Sequence, residues 1–193
     1  MGKQTWQETL VTQQAAGTSF GTYTTNKTVI NPQALLVLPA NYWYIGRKMR
    51  VSFKGGIGSL VTTPGTMNFA VRMGPTGNIS VYDSGAVQLN ATAHTNIPFW
   101  GEIELTCRSV GNSTNATLMG LGQFTGRMFC ITAGQTDDAQ GMQSIISPQT
   151  AMAVGTGFDS TVASIMDFWV GFSISNAANT IQIQTYAVED LGG

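Results

Sequence analysis

His94 is the only histidine of the chain, so any Ser-His-Asp triad would have to use it as its base. It stands in the polar stretch Thr92-Ala93-His94-Thr95-Asn96, which reads as a loop, and a surface or packing role is expected. A zinc site assembled from His94, Cys107 and Cys130 would have no strong fourth ligand. Both cysteines sit in apolar, strand-like runs, so two buried reduced thiols are expected rather than a disulfide. Glu102 and Glu104 alternate along one run, which puts them on one strand face about 7 Å apart. Paired carboxylates about 5–10 Å apart suit glycoside hydrolysis, but alternating charge on the outer face of a strand is the simpler reading. Asp137, Asp138 and Asp159 lack the loop signature of a calcium site. Gly120-Leu121-Gly122 opens like a dinucleotide fingerprint, yet the next glycine, Gly126, comes one residue late. Gly55-Gly56-Ile57-Gly58 is followed by Ser59 and not by the lysine of a phosphate loop. No catalytic residue, metal or cofactor is expected, and the chain is read as a non-enzyme.

Two features point to binding. Arg47, Lys48, Arg50 and Lys54 form a basic cluster, read as a strand face that docks onto an acidic protein surface. Trp43 with its tyrosine neighbours Tyr42 and Tyr44, and Trp100 with Phe99, form aromatic clusters. Such rings offer flat apolar faces to sugars, although core or subunit packing is the more ordinary use.

The elements that must position these groups are short strands. Met49, Val51 and Phe53 alternate with Lys48, Arg50 and Ser52 in the run Arg47–Ile57, a half-buried strand. Met67, Phe69, Val71 and Met73 repeat the pattern until Gly74-Pro75. Ala34–Leu38, Ile79–Leu89, Ile97–Val110 and Ala116–Ile131 supply further strand material, with glycines marking bends or close approaches. Phe168–Ser175 and Thr180–Val188 flank Asn176–Asn179 and read as a terminal hairpin. Thr136–Ser147 reads as a surface loop. Residues 1–20 are polar, with Trp6 and Leu10 as their apolar members, and read as an N-terminal arm or a strand in need of a partner. The expectation is one all-β domain over 21–193, a β-sandwich or barrel of about eight to ten strands.

Composition narrows the function. Charged residues are 10% of the chain and hydrophobic ones 42%, against about 25% charged in ordinary soluble proteins. A chain with so little surface charge is poorly protected against association, so a stable oligomer or assembly component is expected. The net charge of −1 argues against nucleic-acid binding, and no run reaches the about 18 apolar residues of a membrane span. The first twenty residues hold no apolar core of signal-peptide length. All nine Lys and Arg precede residue 128, while six of the ten acids follow it. If these form two poles, neighbouring subunits would meet with opposite charge.

Leu38-Pro39-Ala40-Asn41 leading to Ile45-Gly46-Arg47, Val61–Thr66, Thr92–Asn96 before Pro98-Phe99-Trp100, Leu105–Gly111, Ala116–Gly120 and Val154–Thr161 stand out as a set. Together these six segments resemble a family of tailed-bacteriophage virion proteins. The resemblance implies a jelly-roll structural protein, most simply a capsid decoration (cement) protein. Such a protein would bind the major capsid protein on the virion exterior as a homotrimer, after synthesis in the host bacterial cytoplasm. Trp6, Leu10, Arg47, Lys48, Arg50 and Lys54 are the expected capsid contacts; this assignment comes from the arm and the basic strand, not from the resemblance. A tail, baseplate or neck component that binds host glycan through an aromatic platform is the alternative.

Overall fold

A computed structural model describes residues 7–21, 24–59, 63–136 and 141–192. Among them the chain forms fourteen strands, numbered along the chain, and one 3-10 turn at Pro32–Ala34. The larger sheet runs in the order β1 (Glu8–Thr12), β14 (Thr180–Gly192), β5 (Lys48–Ser59), β9 (His94–Ser109), β10 (Thr117–Gly126) and β12 (Gln143–Ser147), with β2 (Phe20–Gly21) beside β14. The smaller sheet runs β11 (Phe129–Cys130), β8 (Val87–Leu89), β6 (Thr66–Met73), β13 (Ser164–Phe172) and β3 (Lys27–Thr28). There β4 (Leu36–Leu38) also pairs β13, and β7 (Ile79–Asp83) also pairs β6.

The pairings are antiparallel and nested: β1 with β14, β3 and β4 with β13, β5 with β9, and β6 with β7 and β8. Within each sheet the nested pairs are then joined, by β14 against β5 in the larger and β13 against β6 in the smaller. This is the winding of a jelly roll, a β-sandwich as the sequence implied. Strands β10, β11 and β12 extend it beyond the eight-strand pattern.

Alternation explains the strands. Met49, Val51 and Phe53 of β5 are buried while Lys48 and Lys54 are exposed, and Met67, Phe69, Val71 and Met73 of β6 are all buried. The two sheets meet through phenylalanines. Phe53 of β5 packs at a tilt on Phe168 of β13 with centroids 4.4 Å apart, and Phe69 of β6 stacks on Phe124 of β10, also at 4.4 Å. Glycine makes room for these rings: a Cβ on Gly101 of β9 would stand 2.5 Å from the Phe53 ring and 2.8 Å from Phe124. At Gly120 it would stand 2.3 Å from the ring of Tyr82, so that glycine serves packing and not a nucleotide.

Three expectations are corrected. Phe168–Ser175 and Thr180–Val188 are not a hairpin, because β13 and β14 lie in opposite sheets. The turn at Asn176–Asn179 does form, with the Asn179 amide donating to the Asn176 carbonyl at 3.0 Å. It turns the chain across the sandwich, and the buried Asn179 side chain fixes the crossing by accepting from Ser59 Oγ at 2.6 Å. Thr136–Ser147 is not all loop, since Gln143–Ser147 is strand β12 at the sheet edge. From Gln7 the N-terminal segment is not a free arm but the strand that lacked a partner: β1 pairs β14 of its own chain. Gln13 Nε2 donates to the Ile183 carbonyl at 3.0 Å and its Oε1 accepts the Asn31 amide at 3.0 Å.

Filling or emptying the interface between sheets tests this packing. Gly101→Ala is expected to cost about 1–3 kcal/mol through crowding of Phe53 and Phe124. Phe69→Ala is expected to cost about 3–5 kcal/mol through the cavity it leaves. Urea midpoints with an unchanged m-value read both losses.

Candidate functional site

The outer face of the larger sheet collects the side chains that sequence reading singled out. Successive register partners set them in transverse rows. One row holds Glu189 of β14, Arg50 of β5, Glu104 of β9 and Leu121 of β10. Its charges are matched within the chain. Arg50 Nε lies 3.3 Å from Glu102 Oε1, Arg50 Nη1 3.8 Å from Glu189 Oε2, and Lys48 Nζ 2.8 Å from Glu104 Oε1. Glu102 and Glu104 are therefore the outer-face charges of a strand, each held by a cation of the neighbouring strand. The same pairs consume most of the basic cluster that was expected to dock on a partner.

Arg47 is drawn elsewhere. It precedes β5, and its guanidinium lies over the Tyr42 ring, 3.6 Å from the centroid. It donates to the Asp190 carboxylate of β14 and to the Tyr42 carbonyl. Asp190 also accepts from the Tyr42 hydroxyl at 2.7 Å and from the Gly192 amide at 2.9 Å. Burial pushes the Asp190 carboxyl up, but the Arg47 guanidinium, the Gly192 amide and the Tyr42 hydroxyl outweigh it, and its pKa lies below the ordinary carboxylate value. The uneven charge along the sequence thus has an internal use: acids of the last third meet cations of the first two-thirds across β14 and β5.

Of the other expected contacts, Leu10 is a half-buried residue of β1 packed against the core. Trp6 lies outside the described residues, as do Asp137 and Asp138. Lys54 is exposed in the middle of β5, on the same face as Lys48. The aromatic clusters divide. Trp43 is core, edge-on to Tyr42 at 5.4 Å and to Phe158 at 6.4 Å, while Phe99 is buried and Trp100 stands 41% exposed on the outer face.

The remaining chemical candidates are accounted for locally. Cys107 and Cys130 are free and buried, and burial raises both thiol pKa values, which keeps them protonated. His94 opens β9 opposite Ser59. Among the described residues no group of three or more His, Cys, Asp or Glu could hold a metal ion. No helix there is long and apolar enough to cross a membrane. Sequence reading passed over one motif: Gly17-Thr18-Ser19-Phe20-Gly21 has the Gly-x-Ser-x-Gly spacing. A nucleophile elbow needs a strand-to-helix turn, and this segment runs instead into the two-residue strand β2.

A second constellation lies at one end of the sandwich, where three connecting segments are tied together by Ser160. The Ser160 amide donates to the Gly111 carbonyl at 3.0 Å, its Oγ accepts the Gly111 amide at 2.9 Å, and its carbonyl accepts the Asn41 amide at 2.9 Å. The Gly46 amide donates to the Cys107 carbonyl at 2.9 Å, and Ala116 and Phe158 exchange backbone hydrogen bonds at 3.1 and 2.9 Å. The segments carry Tyr44, Ile45, Val110 and Val162 to solvent, exposed by 45, 68, 41 and 39%. No sequence signal had brought these four together, because their shared place depends on backbone bonds between remote loops.

No family model matches the chain, and no curated protein does. Among solved structures it is similar to the CBM2 module of the evolved Dit of Lactobacillus casei BL23 phage J-1, at 11% identity over 96% of both chains with a TM-score of 0.36. It is also similar to a protein of unknown function from Shewanella oneidensis MR-1, at 10% identity over 95% of this chain and 78% of that one, with a TM-score of 0.33.

The Asp190 cluster gives a pH prediction. A carboxyl whose folded pKa lies below its unfolded value of about 3.9 stabilises the fold above that value, and the contribution is lost as pH falls through the folded pKa. Asp190→Asn leaves the buried donors of Arg47 and Tyr42 without a charged acceptor and is expected to cost about 1–3 kcal/mol at pH 7. The gap from the native chain narrows as pH drops below the carboxylate range, as denaturation midpoints at pH 7 and pH 3 would read.

Proposed function

We propose that the chain is a non-enzymatic structural protein of a tailed-bacteriophage particle. In this reading it is a capsid decoration protein that binds the major capsid protein on the outer shell as a homotrimer and stabilises the head. One observation carries the reading. Four of the six segments that bear the family resemblance, Leu38–Arg47, Leu105–Gly111, Ala116–Gly120 and Val154–Thr161, converge on the Ser160 end of the sandwich through the backbone bonds described above. They lie far apart in sequence, yet they build one surface with an apolar rim of Tyr44, Ile45 and Val110. Apolar side chains gathered on one end of a charge-poor domain favour a surface that another protein covers.

The mechanism is passive. Each trimer adds contact area between neighbouring shell subunits, and symmetry repeats a modest contact many times, so the shell gains through avidity. Strand edges at β1 and β12 are also protected when copies pack together.

The test is the amount of this chain relative to the major shell protein in purified particles, by quantitative mass spectrometry. A ratio within a few-fold of one is expected. A ratio of a few per cent would overturn the shell placement in favour of the tail, baseplate or neck. Ile45→Asp is expected to abolish attachment to undecorated shells in a co-sedimentation assay while leaving the thermal midpoint unchanged, because Ile45 is 68% exposed.

A further inference from the structure

Trp100 is the centre of a second row across the larger sheet. Register partners set Thr185 of β14, Lys54 of β5, Trp100 of β9, Thr125 of β10 and Ser144 of β12 side by side. Alternation places them on the outer face, since their neighbours Tyr186, Phe53, Phe99, Phe124 and Ile145 are buried; Thr125 is itself buried there, its hydroxyl donating to Ser144 Oγ at 3.0 Å. The row differs in chemistry from the ion-paired rows beside it. Its members are one exposed indole, one ammonium and three hydroxyls. Among the described residues no carboxylate pairs with Lys54, whereas Lys48 of the same strand pairs with Glu104 and Arg50 with Glu102 and Glu189. A bulge in β14 between Ile183 and Thr185 brings in an extra residue, the exposed Gln184. Bulges commonly re-aim a side chain in this way.

Trp100 stands between two open hollows. One, of about 380 Å³, is lined by Lys54, Pro98, Trp100, Thr125, Met142 and Gln184. The other, of about 330 Å³, is lined by Ser52, Lys54, Trp100, Gly101 and Glu102. Both fall in the lower part of the range for ligand clefts, roughly 300–1,000 Å³. Lys54 borders each of them.

We propose that this row is a binding site for an acidic saccharide. The indole of Trp100 takes the apolar face of a pyranose ring, as flat aromatic rings do. The exposed Gln184 and Ser144 offer hydrogen bonds to hydroxyls at the ring edge. The Lys54 ammonium pairs with the carboxylate of the sugar on the side of the hollow it shares with Met142 and Gln184, whose lining holds no acid, and that sets the preference for an anion. Glu102 does not compete for Lys54, because Arg50 holds it at 3.3 Å. The site lies seven residues along β9 from Cys107, about 23 Å at strand spacing, and so away from the Ser160 end. A chain docked by that end leaves Trp100 open, and the two proposals stand or fall separately.

The experiment is calorimetric titration of the full chain with three acidic probes: a galacturonate hexasaccharide, a hyaluronan hexasaccharide and sialyllactose. The fully methyl-esterified galacturonate hexasaccharide is the uncharged control. At least one acidic probe is expected to bind, and the esterified control to bind about tenfold more weakly than its acid, about 1.4 kcal/mol. Lys54→Gln should bring the acid down to the level of the ester without changing the ester. Trp100→Ala should remove both, with the thermal midpoint as the check on folding. Trp100→Phe, which keeps a flat ring, should retain measurable binding. Failure of all three acidic probes to bind at millimolar concentration overturns the site. Equal binding of acid and ester overturns its acidic preference, and undiminished binding by folded Trp100→Ala overturns its location.

Discussion

Everything in this molecule depends on where β14 is inserted. The last strand lies between β1, the first, and β5, and no local rule places it there. Once it does, Glu189 comes to Arg50 and Asp190 to Arg47 and Tyr42. Its register fixes which face of β5 is buried, because a one-residue slip would turn every side chain over. The bulge in β14 then keeps Ile183 and Tyr186 both inward while adding Gln184 outside. Such pairing joins residues near opposite ends of the chain, and the loops it closes carry a large entropic cost before contacts repay it.

The interior and the outer face answer to different physics. Inside, aromatic rings from both sheets touch, and glycines at 101 and 120 admit them where any side chain would collide. One chain of bonds runs through the buried polar groups there: Tyr82 hydroxyl to Ser147 Oγ at 2.8 Å, Ser147 Oγ to the Ser84 carbonyl at 2.8 Å, and the Phe69 amide to Ser84 Oγ at 2.9 Å. Buried polar groups without partners are costly, and this chain of bonds explains why serines at 84 and 147 can be fully buried. Outside, one part of the larger sheet is a lattice of matched charges and another part is aromatic, with a single cation.

Strands were legible in the sequence because alternation is a local property. The faces of 49–53, 67–73 and 103–107 follow directly from residue type. What the local pattern lacks is the identity of the partner. Asn176–Asn179 has the composition of a hairpin turn and does turn the chain, but the same turn serves a crossing between sheets. The pairing of the basic cluster was hidden for the same reason, since its counter-ions lie more than fifty residues away on β9 and β14. Trp43 and Trp100 look alike as aromatic neighbours in sequence. Only the packing of Phe158 over one and the outward phase of β9 at the other separate core from surface. The jelly-roll winding itself entered through the resemblance, and strand pairing confirms it.

The distribution of charge and of apolar surface belong to one design problem. With charges at 10% of residues, many of them are spent in pairs along β5, β9 and β14, and few are left to keep copies apart. The two outermost strands of the larger sheet then carry unequal protection. At β1 the exposed residues are Glu8, Thr9 and Thr12, whereas at β12 Ile146 stands 73% exposed in the row next to Leu121. A lone soluble domain commonly blunts such an edge with lysine or another charge, and β12, Gln-Ser-Ile-Ile-Ser, has none. An edge left in this condition is a template for pairing with another chain. The physical argument for an assembly component therefore rests on the same scarcity of charge that first appeared in the composition, now located on a particular strand.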